Sequence, residues 1–213
     1  MDNFFVLAII AANVLFSIKG FNDESFFRKY QFHVGSIRAG EQIRMVTSGF
    51  LHADVVHLAF NMIALFSFAP VVTQTLGNFT FLILYFGSLV FGSLLTMVFH
   101  GNDYSYSAVG ASGAVTGIIY SAILLYPDMT IGIFGIIPVP AYIFGICYLL
   151  YSIYGMKTKR DNIGHTAHIG GAIGGYAITL FKDPLLLEQH TFMVILLAVP
   201  IIILFIMAKA GKL

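Results

Sequence analysis

Apolar residues in this chain come in long runs separated by short polar stretches. Seven of the runs approach the roughly 20 residues that a membrane-crossing helix needs. They cover about 4–18, 52–72 and 79–99, a fourth from 109 or 112 to 125, and then 137–154, 166–181 and 192–208. The fourth stops before Pro127, and the fifth carries Pro138 and Pro140 at its start, where a missing N–H costs a helix nothing. The sixth is rich in glycine, and Pro200 interrupts the seventh. The first run follows Met1-Asp2-Asn3 rather than a basic stretch, and no clean small-x-small cleavage site succeeds it, so it reads as a retained helix and not as a leader. Residues 19–49 form a connection too long for a turn, and long ordered loops are often functional. Its Phe21, Phe26, Phe27 and Phe32 are expected at the membrane interface or on the bundle. Residues 128–136 are expected to be a short amphipathic connection. The pattern predicts an all-α polytopic membrane protein with no separate soluble domain.

Composition sharpens this. Of 213 residues, 58% are hydrophobic and 10% charged, and the mean hydropathy is +0.88. Soluble domains carry about 25% charged residues, so a soluble domain and a disordered chain are both excluded. A net charge of +1 supplies no surface for neutralising phosphates, which excludes a nucleic-acid partner. The single cysteine, Cys147, cannot form an internal disulfide and is expected to be a small buried packing residue.

Polar residues inside membrane spans are costly and therefore informative. His57 and Asn61 lie one turn apart in the second span and share a face. His52 and Asp54 stand at its entrance, His165 and His168 open the sixth span, and Ser112 opens the fourth. Successive spans alternate in direction, so the second, fourth and sixth all begin on one side of the membrane. At 1.5 Å per residue, His57, Ser112 and His168 then share a depth of about 10 Å below that surface. A serine becomes a nucleophile when a base lies within hydrogen-bond reach, and His168 can be that base. The Asn61 amide, the His57 imidazole and the Ser112 backbone N–H can act as donors to an oxyanion, with the helix N-terminus favouring negative charge. Gly113 and Gly117 in the fourth span, and Gly170, Gly174, Gly171 and Gly175 in the sixth, recur at the spacing that lets membrane helices approach closely. The fourth and sixth spans are expected to touch.

Other readings compete for single residues. Ser112 could be a packing residue or an N-cap, and His168 a hydrogen-bonded packing histidine. His52, His57, His165 and His168 could hold a metal, but zinc needs three or four convergent ligands with a supporting shell. No metal and no cofactor is expected, and His165 is expected near the surface. A channel or transporter would show internal repeats and midplane sites, and no repeat is found here.

Three motifs together resemble the rhomboid family of intramembrane serine proteases. Gly110-Ala111-Ser112-Gly113 resembles its Gly-x-Ser-x nucleophile motif. Ala167-His168-Ile169-Gly170-Gly171, with Gly175 four further on, resembles its Ala-His-x-x-Gly-x-x-x-Gly motif, and His57-Leu58-Ala59-Phe60-Asn61 its His-x-x-x-Asn motif. His52 falls on a histidine the family often has. The resemblance implies a six-helix catalytic core over residues 1–182, with 183–213 a loop and an additional C-terminal helix. It implies a dyad of Ser112 and His168, with His57, Asn61 and Gly110 binding the oxyanion or substrate. It also implies cleavage of membrane-anchored protein substrates in or near the bilayer. A non-proteolytic relative that binds membrane clients is the alternative, and retention of Ser112 and His168 argues against it. Two positions depart from the family pattern. Ile43-Arg44 stands where Trp-Arg is usual, and Thr116 stands where an aromatic usually packs on the catalytic ring. The orientation of His168 must therefore come from elsewhere.

A cell membrane is the expected location. The face holding the candidate site carries Lys19, Arg28, Lys29, Arg38, Arg44, Lys157, Lys159 and Arg160, joined by Lys209 and Lys212, against only Lys182 opposite. Charge bias alone would turn that face to the cytoplasm. The resemblance implies the reverse, and it is followed here because much of the charge lies in the long first connection.

Overall fold

The computed structural model describes residues 4–133, 137–158 and 163–213. Each expected span is a helix: α1 (Phe4–Asn22), α5 (Val55–Leu76), α6 (Asn78–His100), α7 (Ser112–Leu125), α8 (Ala141–Thr158), α9 (His165–Lys182) and, after the short α10 (Leu186–Gln189), α11 (Thr191–Lys209). By length and composition α1, α5, α6 and α11 are sufficient to cross a membrane. At 14 residues α7 is shorter, about 21 Å at 1.5 Å per residue. It needs no more, because it starts inside the bundle and is buried from Gly113 to Leu125. Met1-Asp2-Asn3, the middle of the 128–136 connection, and Lys159 and Arg160 lie outside the described residues.

Local chemistry sets the boundaries. The Asp54 carboxylate accepts the His57 N–H at 2.7 Å and caps α5, satisfying a donor that has no partner within the helix. Asp54 is thereby used in structure. Gly77, at φ +84°, makes the tight link from α5 to α6, a conformation that favours glycine. Pro138 and Pro140 do not open a helix as expected. They belong to β4 (Ile137–Pro140), which pairs antiparallel with β3 (Thr130–Ile133). Proline is tolerated in a two-stranded ribbon because both strands are edges, and α8 then begins at Ala141.

The first connection is ordered. It holds α2 (Glu24–Tyr30), β1 (Phe32–His33), α3 (Val34–Arg38), α4 (Arg44–Thr47) and a 3₁₀ turn over Ser48–Phe50. Arg44 is buried at 8% exposure and ties these pieces together. Its guanidinium donates to the carbonyls of Arg28 (2.7 Å) and Gln31 (3.1 Å) and pairs with Glu41 (2.6 Å). Arg28 pairs with Glu24, and Arg38 lies over the Tyr104 ring. Arg28 and Arg44 are therefore engaged within the loop, and Arg38 against the connection between α6 and α7. Ile43 is exposed, so the tryptophan position of the family pattern points away from the bundle here.

The core is a contact of backbones. A Cβ on Gly171 would strike the backbone of Gly113, and one on Gly175 the backbone of Gly117. The other glycine pair does different work from that expected. Gly170 lies against Phe91 and Gly92, and Gly174 against Ser88 and Phe91, so that pair seats α9 on α6 while Gly171 and Gly175 seat it on α7. Hydrogen bonds reinforce both seams. Thr96 meets Thr166 at 3.1 Å, and Thr179 donates to Ser121 at 2.7 Å.

This packing makes a direct prediction. A Gly171→Val protein should lose about 1–3 kcal/mol or more of stability through overpacking. Gly164→Ala should stay within about 0.5 kcal/mol, since its added Cβ meets nothing closer than 3.9 Å. Thermal unfolding in detergent measures both, and a Gly171→Val protein as stable as the parent would refute the backbone contact.

Candidate active site

Ser112 is the first residue of α7, so its N–H has no acceptor within the helix. His168 stands in the first turn of α9. The glycine seam brings the two helix starts together, and His168 Nε2 lies 2.8 Å from Ser112 Oγ. With the serine hydroxyl donating to Nε2, the ring carries its proton on Nδ1. That nitrogen faces hydroxyls from α8, Tyr148 Oη at 3.0 Å and Ser152 Oγ at 3.3 Å. The Tyr148 ring also stacks on the imidazole, with centroids 5.1 Å apart and 28° between planes. The orienting aromatic that Thr116 does not supply thus comes from another helix. Thr116 instead donates to the Ser112 carbonyl at 2.6 Å.

The α5 residues arrive from the opposite wall. Gly110 has φ +130°, and a Cβ there would fall 2.7–2.8 Å from the His57 ring and 3.6 Å from Ser112 Oγ. Only glycine combines that conformation with that proximity. His57 Nδ1 lies 3.5 Å from the Ala53 N–H, which leaves Nε2 as the protonated nitrogen on the Gly110 side. Asn61 is buried and donates through Nδ2 to the His57 carbonyl at 2.9 Å. Ser112, His168, His57 and Asn61 all line one cavity of about 830 Å³. Its remaining wall is largely apolar, with Phe60 and Ala64 from α5 facing Phe144, Tyr148 and Tyr151 from α8. The arrangement offers a hydroxyl beside a base, donors on the other side, and an apolar chamber between two helices.

Two expectations change. His165 is buried rather than near the surface, with its ring edge-on to His168 (5.9 Å) and to Tyr151 (5.4 Å). Cys147 is exposed, because it lies on the outer face of α8 and not in the core. Among the described residues, no three His, Cys, Asp or Glu side chains converge to hold a metal ion. Tyr148 and Ser152 were not anticipated, although their i,i+4 spacing on an apolar helix marks a shared polar face.

A family model described as the Rhomboid domain matches residues 39–183, more than half of the chain. The chain is 29% identical over 188 residues to "RHOMBOID-like protein 12, mitochondrial" of Arabidopsis thaliana, covering 80% of this chain and 56% of that protein. It is 34% identical over 142 residues to "Putative rhomboid protease YdcA" of Bacillus subtilis, covering 66% of this chain and 67% of that one. It is 32% identical over 148 residues to "Rhomboid protease GluP" of the same organism, covering 66% of this chain and 26% of the relative. The chain therefore belongs to the rhomboid family, and it is a multi-pass integral membrane protein. It spans about half the length of the Arabidopsis relative and about a quarter of GluP.

The role of Tyr148 is testable by the rate at which a fluorophosphonate labels Ser112. Tyr148→Phe keeps the ring and removes one hydrogen bond, worth about 0.5–1.5 kcal/mol, so labelling should slow by about two- to ten-fold. Tyr148→Ala removes the stack as well and should slow it further. Unchanged rates in both would show that the tyrosine does not orient His168.

Proposed function

We propose that this protein is an intramembrane serine endopeptidase of a cell membrane, with Ser112 as nucleophile and His168 as its general base. The 2.8 Å approach of His168 Nε2 to Ser112 Oγ, inside a chamber walled by apolar helices, carries this reading. The six-helix core over residues 1–182 does the chemistry, and α11 is an addition to it. The substrates are membrane-anchored proteins whose chain enters the apolar chamber at or near its own spanning segment.

The proposed reaction runs in two steps. Ser112 Oγ attacks the peptide carbonyl carbon as its proton passes to His168 Nε2, and Tyr148 and Ser152 hold the proton on Nδ1 in place. The imidazolium then protonates the leaving amine, and water completes the cycle by the same route. The tetrahedral oxyanion takes hydrogen bonds from the Ser112 N–H, His57 Nε2 and the Asn61 amide. Gly110 leaves room for that oxygen beside His57.

Fluorophosphonate labelling of the wild type, lost in Ser112→Ala, is the first test. Ser112→Ala and His168→Ala should each abolish detectable cleavage of a transmembrane substrate while the protein still folds. Because the two act as a unit, the double variant should be barely worse than either single one. Substantial cleavage by folded Ser112→Ala would end the proposal. Asn61→Ala should leave residual activity, since losing one oxyanion donor costs about 10²–10³ in rate, or roughly 2.7–4 kcal/mol. The loss should fall on turnover, because the oxyanion exists only in the transition state and intermediates. Unchanged turnover would reduce Asn61 to a helix-packing donor.

The proposal also opens the site outward. With exposed Cys147 replaced by Ser, a cysteine introduced at Lys29 should label from outside the cell. Labelling from the cytoplasm would reverse the orientation and vindicate the charge bias.

A further inference from the structure

The segment that delivers Ser112 is suspended from the first connection almost residue by residue. The Val34 N–H donates to the Tyr106 carbonyl and the Gly35 N–H to the Tyr104 carbonyl, each at 3.1 Å. Phe32 and His33 of β1 pair with Ala108 and Ser107 of β2 (Ser107–Ala108). The Gly110 N–H donates to the Ser48 carbonyl at 3.0 Å. The last tie before the nucleophile is different in kind. The Ala111 N–H donates to a side chain, His52 Nε2, at 3.3 Å.

That acceptance fixes the state of the ring. Nε2 has its lone pair toward Ala111, so a neutral His52 carries its proton on Nδ1. Nδ1 lies 2.9 Å from Ser17 Oγ, and the Ser17 hydroxyl donates to the Phe50 carbonyl at 3.1 Å. Every donor in this chain of bonds has its acceptor: Ser17 to Phe50, His52 to Ser17, Ala111 to His52. His52 and Ser17 are both fully buried. The His52 ring also stands edge-on to His57, with centroids 5.0 Å apart. One imidazole therefore touches both the peptide before Ser112 and the histidine across the cavity from it. Ser17 belongs to α1, which lies outside the residues matched by the family model.

We infer that His52 is a positioning residue for the reaction, and that Ser17 sets its tautomer, so that α1 helps to place Ser112 and its N–H against His57. This rests on the reading of Ser112 as the nucleophile. With the N–H groups of Gly110 and Ala111 both engaged, the Ser112 N–H is the first backbone donor left to face an oxyanion. If the Ala111 peptide were released, the loop could rotate and carry that donor and Oγ away together. A misplacement of about 1 Å costs on the order of 10²-fold in rate. A buried histidine that only packs would affect stability and leave turnover in the folded fraction unchanged.

The test uses the full-length protein in detergent or proteoliposomes, with kcat and KM for a transmembrane substrate, fluorophosphonate labelling rate and thermal midpoint measured together. His52→Ala should lower kcat by about 10²-fold with KM within about two-fold. His52→Gln, whose amide oxygen can accept the Ala111 N–H, should recover at least about ten-fold of that loss. Ser17→Ala barely changes volume and leaves the ring in place, and it should lower kcat by about two- to ten-fold, one hydrogen bond's worth. It keeps the inference testable should His52→Ala not fold. Unchanged kcat in folded His52→Ala, or, should His52→Ala not fold, unchanged kcat in Ser17→Ala, would overturn it. So would a loss that tracks the thermal midpoint and is not recovered by glutamine. A wild type that neither labels nor cleaves would overturn the nucleophile reading and this inference with it, whereas an active wild type with unaffected variants overturns this inference alone.

Discussion

Everything at the site depends on how closely α7 and α9 approach. Ser112 and His168 sit at the starts of two helices, and side chains that short meet only if the helix axes are nearer than ordinary residues permit. Gly171 against Gly113 and Gly175 against Gly117 remove the atoms that would hold the helices apart. In a bilayer, apolar side chains gain little by leaving lipid for a neighbouring helix, so close van der Waals fit and interhelical hydrogen bonds carry the association. The Thr179–Ser121 and Thr96–Thr166 bonds lie along the same seams. The seam that stabilises the bundle is also the one that sets the 2.8 Å separation, which links folding and chemistry through one set of glycines.

Much of this was legible in the sequence, for reasons that differ by residue. Apolar run length gave all seven helices, because membrane spans are specified by hydropathy more than by propensity. Parity placed His57, Ser112 and His168 at one end, since alternating direction is a topological constraint that needs no coordinates. What remained hidden depends on rotation about helix axes. Cys147 and Tyr148 are adjacent on α8, yet one faces outward and the other meets His168. Which glycine pair seats α9 on α7 and which on α6 is likewise a matter of about 100° of rotation, the angle between successive residues at 3.6 per turn. The β3–β4 ribbon escaped because proline early in an apolar run is as compatible with a helix start as with an edge strand.

The first connection illustrates a second limit. Its phenylalanines suggested a segment at the interface or on the bundle, but its structural content lies in backbone groups. Main-chain bonds to Tyr104 and Tyr106, the Ala108 pairing and the Ser48–Gly110 bond leave little signature in residue type. Arg44 is the exception. Its buried guanidinium satisfies two carbonyls at once, and arginine suits that role because its planar fork carries several fixed donors. Ile43, at the position where the family pattern usually has tryptophan, is exposed and takes no part in those bonds.

Tyr148 has a consequence for how the cavity and the base are related. It lines the apolar chamber and, through its ring and hydroxyl, also holds His168. The chamber's α8 wall and the orientation of the base are therefore one structure. Here any displacement of α8 that widens the chamber draws Tyr148 and Ser152 away from Nδ1. On the proposed reading, a segment lodged between α5 and α8 must leave Tyr148 in place to be cut. Poorly fitting segments that push α8 outward would loosen the base that has to act on them. On that reading, selection at the chamber and competence at the proposed dyad are coupled through one side chain, Tyr148.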